Sequence, residues 1–302
     1  MGLVFAAILP HGPGVIAELT DELALMATTR AAMAEAGHRF AAAQPEVVIL
    51  LDPQAVHEST GPALAEVAAG RPTCWPASGS AQIAVATAER AGGVMSGPGG
   101  RRAADWYAGD SALAAAILAG QDFPLVAEPG EDGSLPLVGG ALIPLWFTLR
   151  PLPAPRPGLV VVDAGSAVPR TTLWRFGAWL AAVAAQSDRR VALLASADQG
   201  HTHDPSHERF GFSPAAAEHD RRYCEAVTDQ RLDRLLDFSD ELLRACWTDS
   251  LWQTLILAGA VEHAGLRGEL LSYEVPSYFG MAVAAYAATP PAAPPPPPPP
   301  AR

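Results

Sequence analysis

Two histidines in this chain stand where apolar runs give out. Leu3-Val4-Phe5-Ala6-Ala7-Ile8-Leu9 leads directly into Pro10-His11-Gly12-Pro13, and Val191-Ala192-Leu193-Leu194-Ala195 leads into Ser196-Ala197-Asp198-Gln199-Gly200-His201-Thr202-His203. Short apolar runs of this kind read as buried strands. In an open α/β sheet, ligands bind in the crevice beyond the carboxyl ends of the strands. Imidazole is both the commonest metal ligand and the side chain that titrates nearest neutral pH. Two such rings at strand ends therefore point to one polar pocket, doing either metal chemistry or proton transfer.

The elements that must position them follow an alternating order. Residues 3–9 and Glu46-Val47-Val48-Ile49-Leu50-Leu51 read as strands, with helical patterns over 14–43 between them and a helix start at Thr20-Asp21-Glu22. The stretch 103–118 reads as helix, and Leu142 to Phe147 as a strand interrupted by Pro144. Leu159 to Val162 is a further strand, followed by a helix over 170–186 and the strand that ends near Ser196. Helical pieces run from Pro214 to about 264, and strands over 269–275 and 281–286 close the domain. The expectation is a single α/β domain over 1–288, with helices packed around a largely parallel or mixed central sheet. Residues 289–302 are dominated by Pro and read as a disordered tail.

Composition removes several function classes. The chain has 302 residues, 49% of them hydrophobic and 17% charged, enough to bury a full core. Its net charge is −12, which argues against nucleic-acid or membrane-surface partners. Lys is absent, so a Schiff-base or P-loop lysine is excluded. There is no G-x-S-x-G elbow and no G-x-G-x-x-G after a strand. Cys74, Cys224 and Cys246 show neither CxxC spacing nor an even count, and read as buried thiols in a reducing compartment. With neither a signal-like start nor an apolar run of membrane-spanning length, the expected location is the cytoplasm.

Four stretches together resemble the class III extradiol ring-cleavage dioxygenases of the protocatechuate 4,5-dioxygenase beta-subunit type. They are the opening strand with Pro10-His11-Gly12-Pro13, the run Pro45 to Pro53, the turn Ala195 to His201, and Phe210-Gly211-Phe212-Ser213-Pro214 to Asp220 followed by Leu271-Ser272-Tyr273-Glu274. The resemblance implies an Fe(II) held by two His and one carboxylate, with open positions for a catechol-like aromatic substrate and O2. It also implies a homo-oligomer or a small accessory subunit as partner.

Carried over residue by residue, His11 takes the place of the first iron ligand. The second would directly follow Pro53, where Gln54 stands, so His57 three residues on is the candidate. The carboxylate falls at Asp249 or Ser250, with Asp249 the ligand candidate, although an Asp there also suits a helix N-terminus. His201 takes the acid–base role. Gly139 stands where many relatives carry a further, substrate-assisting His. Two other readings stay open: a non-catalytic relative that keeps the fold as a binding or partner subunit, and a metal-dependent hydrolase using His201-Thr202-His203 as an H-x-H pair. Trp106-Tyr107, Trp146-Phe147 and the pair Arg101-Arg102 could line a substrate pocket, but read more simply as core and as a solvated loop.

Overall fold

The computed structural model describes residues 1–53 and 80–288. Its centre is an eight-stranded mixed sheet in the order β10-β11-β1-β9-β2-β8-β3-β6. The strands are β1 (Gly2–Leu9), β2 (Val47–Leu51), β3 (Ile83–Ala86), β6 (Leu125–Glu128), β8 (Gly158–Ala164), β9 (Arg190–Ser196), β10 (Arg267–Glu274) and β11 (Met281–Ala287). β1, β9, β2 and β8 run parallel side by side. β3 and β11 pair antiparallel to β8 and β1 at the two sides of this block. A separate three-stranded sheet holds β4 (Arg90–Ser96), β5 (Arg102–Ala108) and β7 (Ser134–Pro136).

The four parallel strands are apolar at nearly every position because both faces of the sheet are covered. Alternate residues feed two cores. Ala6, Ile8, Ile49 and Leu193 pack beneath helices α2 (Ser111–Leu118), α4 (Arg170–Gln186), α5 (Pro214–Thr228) and α7 (Leu251–Ala264). Phe5, Ala7, Leu50 and Leu194 pack against α1 (Ala27–Ala43), α3 (Gly139–Thr148) and the small sheet. The α4–α7 contact is made backbone to backbone. A Cβ on Gly177 would lie 1.9 Å from the Ile256 carbonyl oxygen, and one on Gly259 would lie 1.9 Å from that of Trp174. α7 is thereby drawn down onto the sheet, which matters because the segment before it carries a site residue.

Several elements differ from the sequence expectation. The stretch 103–118 divides into β5 and α2, with Asp110 capping α2 by accepting the Leu113 N–H at 2.8 Å. The Leu142 to Phe147 strand is instead part of the helix α3, buried on almost all sides. Within the expected helical stretch 14–43, Pro13 to Leu19 forms two short 3-10 turns, and α1 starts at Ala27 rather than near Thr20. No helix among the described residues is long and apolar enough to cross a membrane.

Candidate active site

Parallel pairing brings the site together. β1 and β9 are in register so that Leu9 faces Ser196, and β2 places Leu51 opposite Ala195. The residues just past these strand ends, His11, Asp52 and Asp198, consequently emerge at one sheet edge. Asp163, near the end of β8, is buried there too. α6 (Asp240–Cys246) ends at Trp247 in a left-handed conformation, φ 52°. The chain then turns through Thr248-Asp249-Ser250 into α7. Gln253 Nε2 donates to the Ser196 carbonyl at 2.6 Å, tying the first turn of α7 to the end of β9.

Asp249 does not cap this helix. Ser250 occupies the N-cap position, and no side chain caps α7. Asp249 Oδ1 accepts the Asp198 N–H at 3.1 Å, and its Oδ2 lies 3.3 Å from His11 Nε2. Asp198 holds His11 from the other side. Its Oδ1 accepts the His11 backbone N–H at 2.9 Å, and its Oδ2 is 3.4 Å from the same Nε2. One imidazole nitrogen is thus faced by two carboxylates, and all three side chains are buried or nearly so.

The other ring nitrogen is committed. Ser196 Oγ–H donates to the Gly140 carbonyl, which leaves its oxygen to accept from His11 Nδ1–H at 2.9 Å. That Gly140 carbonyl is available because Pro144, four residues on in α3, has no N–H to offer it. The proline that interrupts the expected strand therefore sits in a relay from Gly140 through Ser196 to His11. With Nδ1 protonated and tethered, Nε2 is the atom presented to the carboxylates, the arrangement typical of a metal-ligating histidine.

Electrostatics follow from this packing. Burial works against a charged His11, but Asp198 and Asp249, with a smaller contribution from Asp52, outweigh it and push its pKa up to about 10. Burial opposes ionisation of Asp249 as well, yet the facing His11 holds that carboxyl below its usual range. Asp198 moves the other way: burial and repulsion from Asp249 together exceed the pull of His11 and raise it. A proton on His11 Nε2 thus occupies the place where a cation is most stabilised.

Donor chemistry at this spot suits a divalent metal. Asp249 Oδ2 is buried without a hydrogen-bond donor, and His201 Nδ1 is buried without a partner. Among the described residues, no group of three or more His, Cys, Asp or Glu side chains is placed to hold a metal ion as it stands; His11 pairs instead with Asp198 and Asp249. Metal binding here must displace the His11 proton. The folded, metal-free pKa of about 10 sets the sign. Affinity for a divalent ion is expected to rise with pH, about tenfold per unit for one proton, and to level off only near pH 10. Calorimetric titration between pH 6 and 9 checks this, and a flat profile contradicts it.

His201 lies on the loop after β9. Its backbone N–H donates to the Cys246 carbonyl at 2.7 Å. Aromatic rings wall it in. Phe279 stacks at 5.6 Å and 19°, with Phe210 at 5.3 Å and Tyr278 at 5.9 Å. Phe279 also packs on Gly12, where a Cβ would come within 2.7 Å of the ring, so one aromatic side chain links the two histidine loops. His203 turns elsewhere, its Nε2 donating to Asp220 at 2.9 Å, and the His201-x-His203 pair does not converge on one point.

The remaining sequence candidates sort plainly. His57 and Gln54 lie outside the described residues. Gly139 opens α3, one residue before the carbonyl that holds Ser196. Arg101 pairs with Asp21 on the surface, and Tyr107 is buried in the core that includes the small sheet. Sequence reasoning missed Asp198, and it missed the aromatic wall of Phe210, Tyr278 and Phe279. Asp198 had one legible signal, a carboxylate two residues past the strand that delivers His201.

A family model for the catalytic LigB subunit of aromatic ring-opening dioxygenase matches residues 5–284. The chain belongs to this family. Among solved structures, the uncharacterized protein JW3007 from Escherichia coli K12 is similar at 16% identity and a TM-score of 0.57, covering 93% of this chain and 99% of its own. That likeness shows a shared fold. No curated protein matches the chain. Family membership places it in the extradiol-type dioxygenase superfamily, whose enzymes are typically metal-dependent.

Proposed function

We propose that this chain is an extradiol-type dioxygenase that uses Fe(II) and O2 to open the ring of a catechol-like aromatic. The observation that carries the reading is His11 Nε2 facing the Asp249 carboxylate, with Nδ1 tethered through Ser196, on the sheet edge that also carries His201. In this reading His11 and Asp249 hold the ion, and His57 is a further donor from the segment after β2. A bound ferrous ion supplies the electronic link between an electron-rich ring and triplet O2, which otherwise react very slowly with each other.

The protein's own contribution is geometry and proton handling. Phe210, Tyr278 and Phe279 form an apolar wall against which an aromatic substrate packs, keeping bulk water from the site. His201 Nδ1, buried and without a partner, accepts a proton from a substrate hydroxyl and returns it as the ring opens.

An anaerobic Fe(II) titration followed by O2-uptake measurements with a panel of catechols tests this. About one equivalent of tight binding and catechol-dependent O2 uptake are expected. His201→Ala is expected to keep the iron and to slow turnover by about 10²–10⁴-fold, the usual contribution of a positioned acid–base group. Absence of specific Fe(II) binding by the wild-type protein would remove the proposal.

A further inference from the structure

We infer that Asp198 is itself a metal ligand, so that the centre holds a second carboxylate and is richer in anionic oxygen than one built from two imidazoles and a single carboxylate. The inference rests on the metal-binding reading above and goes beyond it in assigning this residue and the class of ion it favours. Three features carry it. Asp198 Oδ2 and Asp249 Oδ2 lie at nearly equal distances from His11 Nε2, 3.4 and 3.3 Å, so both carboxylates face the nitrogen that would bind an ion. Asp198 is almost fully buried, and its other oxygen is fixed by the His11 N–H, which aims Oδ2 at the cluster. Asp249 Oδ2 in the cluster and His201 Nδ1 on the loop after β9 are buried polar atoms without hydrogen-bond partners.

Charge balance argues the same way. Two carboxylates and one neutral imidazole cancel the charge of a divalent ion within the ligand set itself, whereas two imidazoles and one carboxylate leave a positive charge to be balanced by neighbours such as Asp52. A buried charge is costly unless compensated. The residue directly after Pro53 is Gln54, not a histidine, so the second imidazole that the family resemblance leads one to expect there is missing from that position. Carboxylate oxygen suits Mn(II) and other hard ions, while imidazole suits Zn(II), Fe, Cu and Ni. The centre should therefore hold Mn(II) well for a dioxygenase-type site, and Asp198 should matter more for Mn(II) than for Zn(II).

The test uses the full chain, with Mn(II) and Zn(II) titrated separately by calorimetry and bound Mn(II) counted by electron paramagnetic resonance. Asp198→Asn keeps an oxygen to accept the His11 N–H but removes the charge. It is expected to weaken Mn(II) by about 100-fold and Zn(II) by less. Asp198→Glu, which restores the carboxylate, is expected to recover most of the Mn(II) affinity, and it serves as the deciding variant if the Asn protein melts early. Mn(II) affinity of Asp198→Asn within twofold of wild type, alongside loss of binding in His11→Ala, would overturn the ligand role of Asp198 and leave the metal site standing. Failure of the Glu variant to recover binding would also overturn it. Wild-type protein that takes up neither ion would remove the metal reading itself, and the inference with it.

Discussion

Replacing His11 by alanine is expected to abolish tight Fe(II) binding and all catechol-dependent O2 uptake, and to destabilise the metal-free protein by about 3–5 kcal/mol at pH 7. The stability term follows from removing one partner of a buried charge cluster. Without the imidazolium, Asp198 and Asp249 face each other in the interior. Asp198, whose ionisation is already disfavoured, relieves the strain by taking up a proton. The sign with pH follows from His11, whose folded pKa of about 10 lies above the usual value for histidine, about 6.5. Its stabilising charge is fully present below pH 6.5 and is lost as pH rises through 10. The gap between wild type and variant should accordingly be large at pH 7 and shrink by pH 10.5. Urea unfolding of both proteins at the two pH values measures it. Tight iron binding that survives in His11→Ala would sink the ligand assignment.

The second large effect lies one layer further out, at Asp220. This buried carboxylate accepts four donors: the Gly200 N–H at 2.8 Å, His219 Nδ1 at 2.8 Å, His203 Nε2 at 2.9 Å and the Tyr273 hydroxyl at 2.8 Å. Gly200 and His203 flank His201, so Asp220 pins the loop that carries this proposed acid–base residue. Space for the carboxylate depends on Gly280, where a Cβ would lie 2.1 Å from Asp220 Oδ2. Asp220→Ala leaves the four donors without their acceptor, and a loss of about 3–5 kcal/mol is expected at neutral pH.

Burial alone would raise the pKa of Asp220, but its hydrogen bonds to His203 and His219 hold it down to about 2. A depressed carboxylate contributes stability that is present above its unfolded pKa, about 3.9, and is lost as pH falls through about 2. The difference between wild type and Asp220→Ala should therefore narrow between pH 4 and pH 2, read by denaturant unfolding at a series of pH values. A difference that stays constant across that interval would show that the hub is not held as an ionised carboxylate.

Six of the eight central strands were legible because they are short, apolar and bounded by turn residues, as in Val47–Leu51 and Gly158–Ala164, while β3 and β6 were not read. Where burial is total, periodicity falls silent. α3 is apolar on nearly every face, so its residues carry no helical stripe, and Pro144 argued against a regular element of any kind. β5 was hidden differently: Arg102-Ala103-Ala104-Asp105-Trp106-Tyr107-Ala108 alternates in exposure, but its alanines blur the period and favour a helical reading.

The site divides along the same line. His11 and His201 were marked by the sequence alone, since each lies a few residues past a readable strand and strand ends face the ligand crevice. Asp249 was marked as one of two neighbours, and only the tertiary structure shows which of them faces His11. Ser250 takes the N-cap position of α7, while Asp249 turns to the His11 ring. Asp198 was visible as a residue and invisible as a partner. Its meeting with His11 depends on β1 and β9 lying side by side with Leu9 opposite Ser196. Local patterning reports which segments are strands and which face is buried. Which strands pair, in what register, and which carboxylates then share one imidazole are set by contacts between residues nearly two hundred positions apart, and only the folded chain settles them.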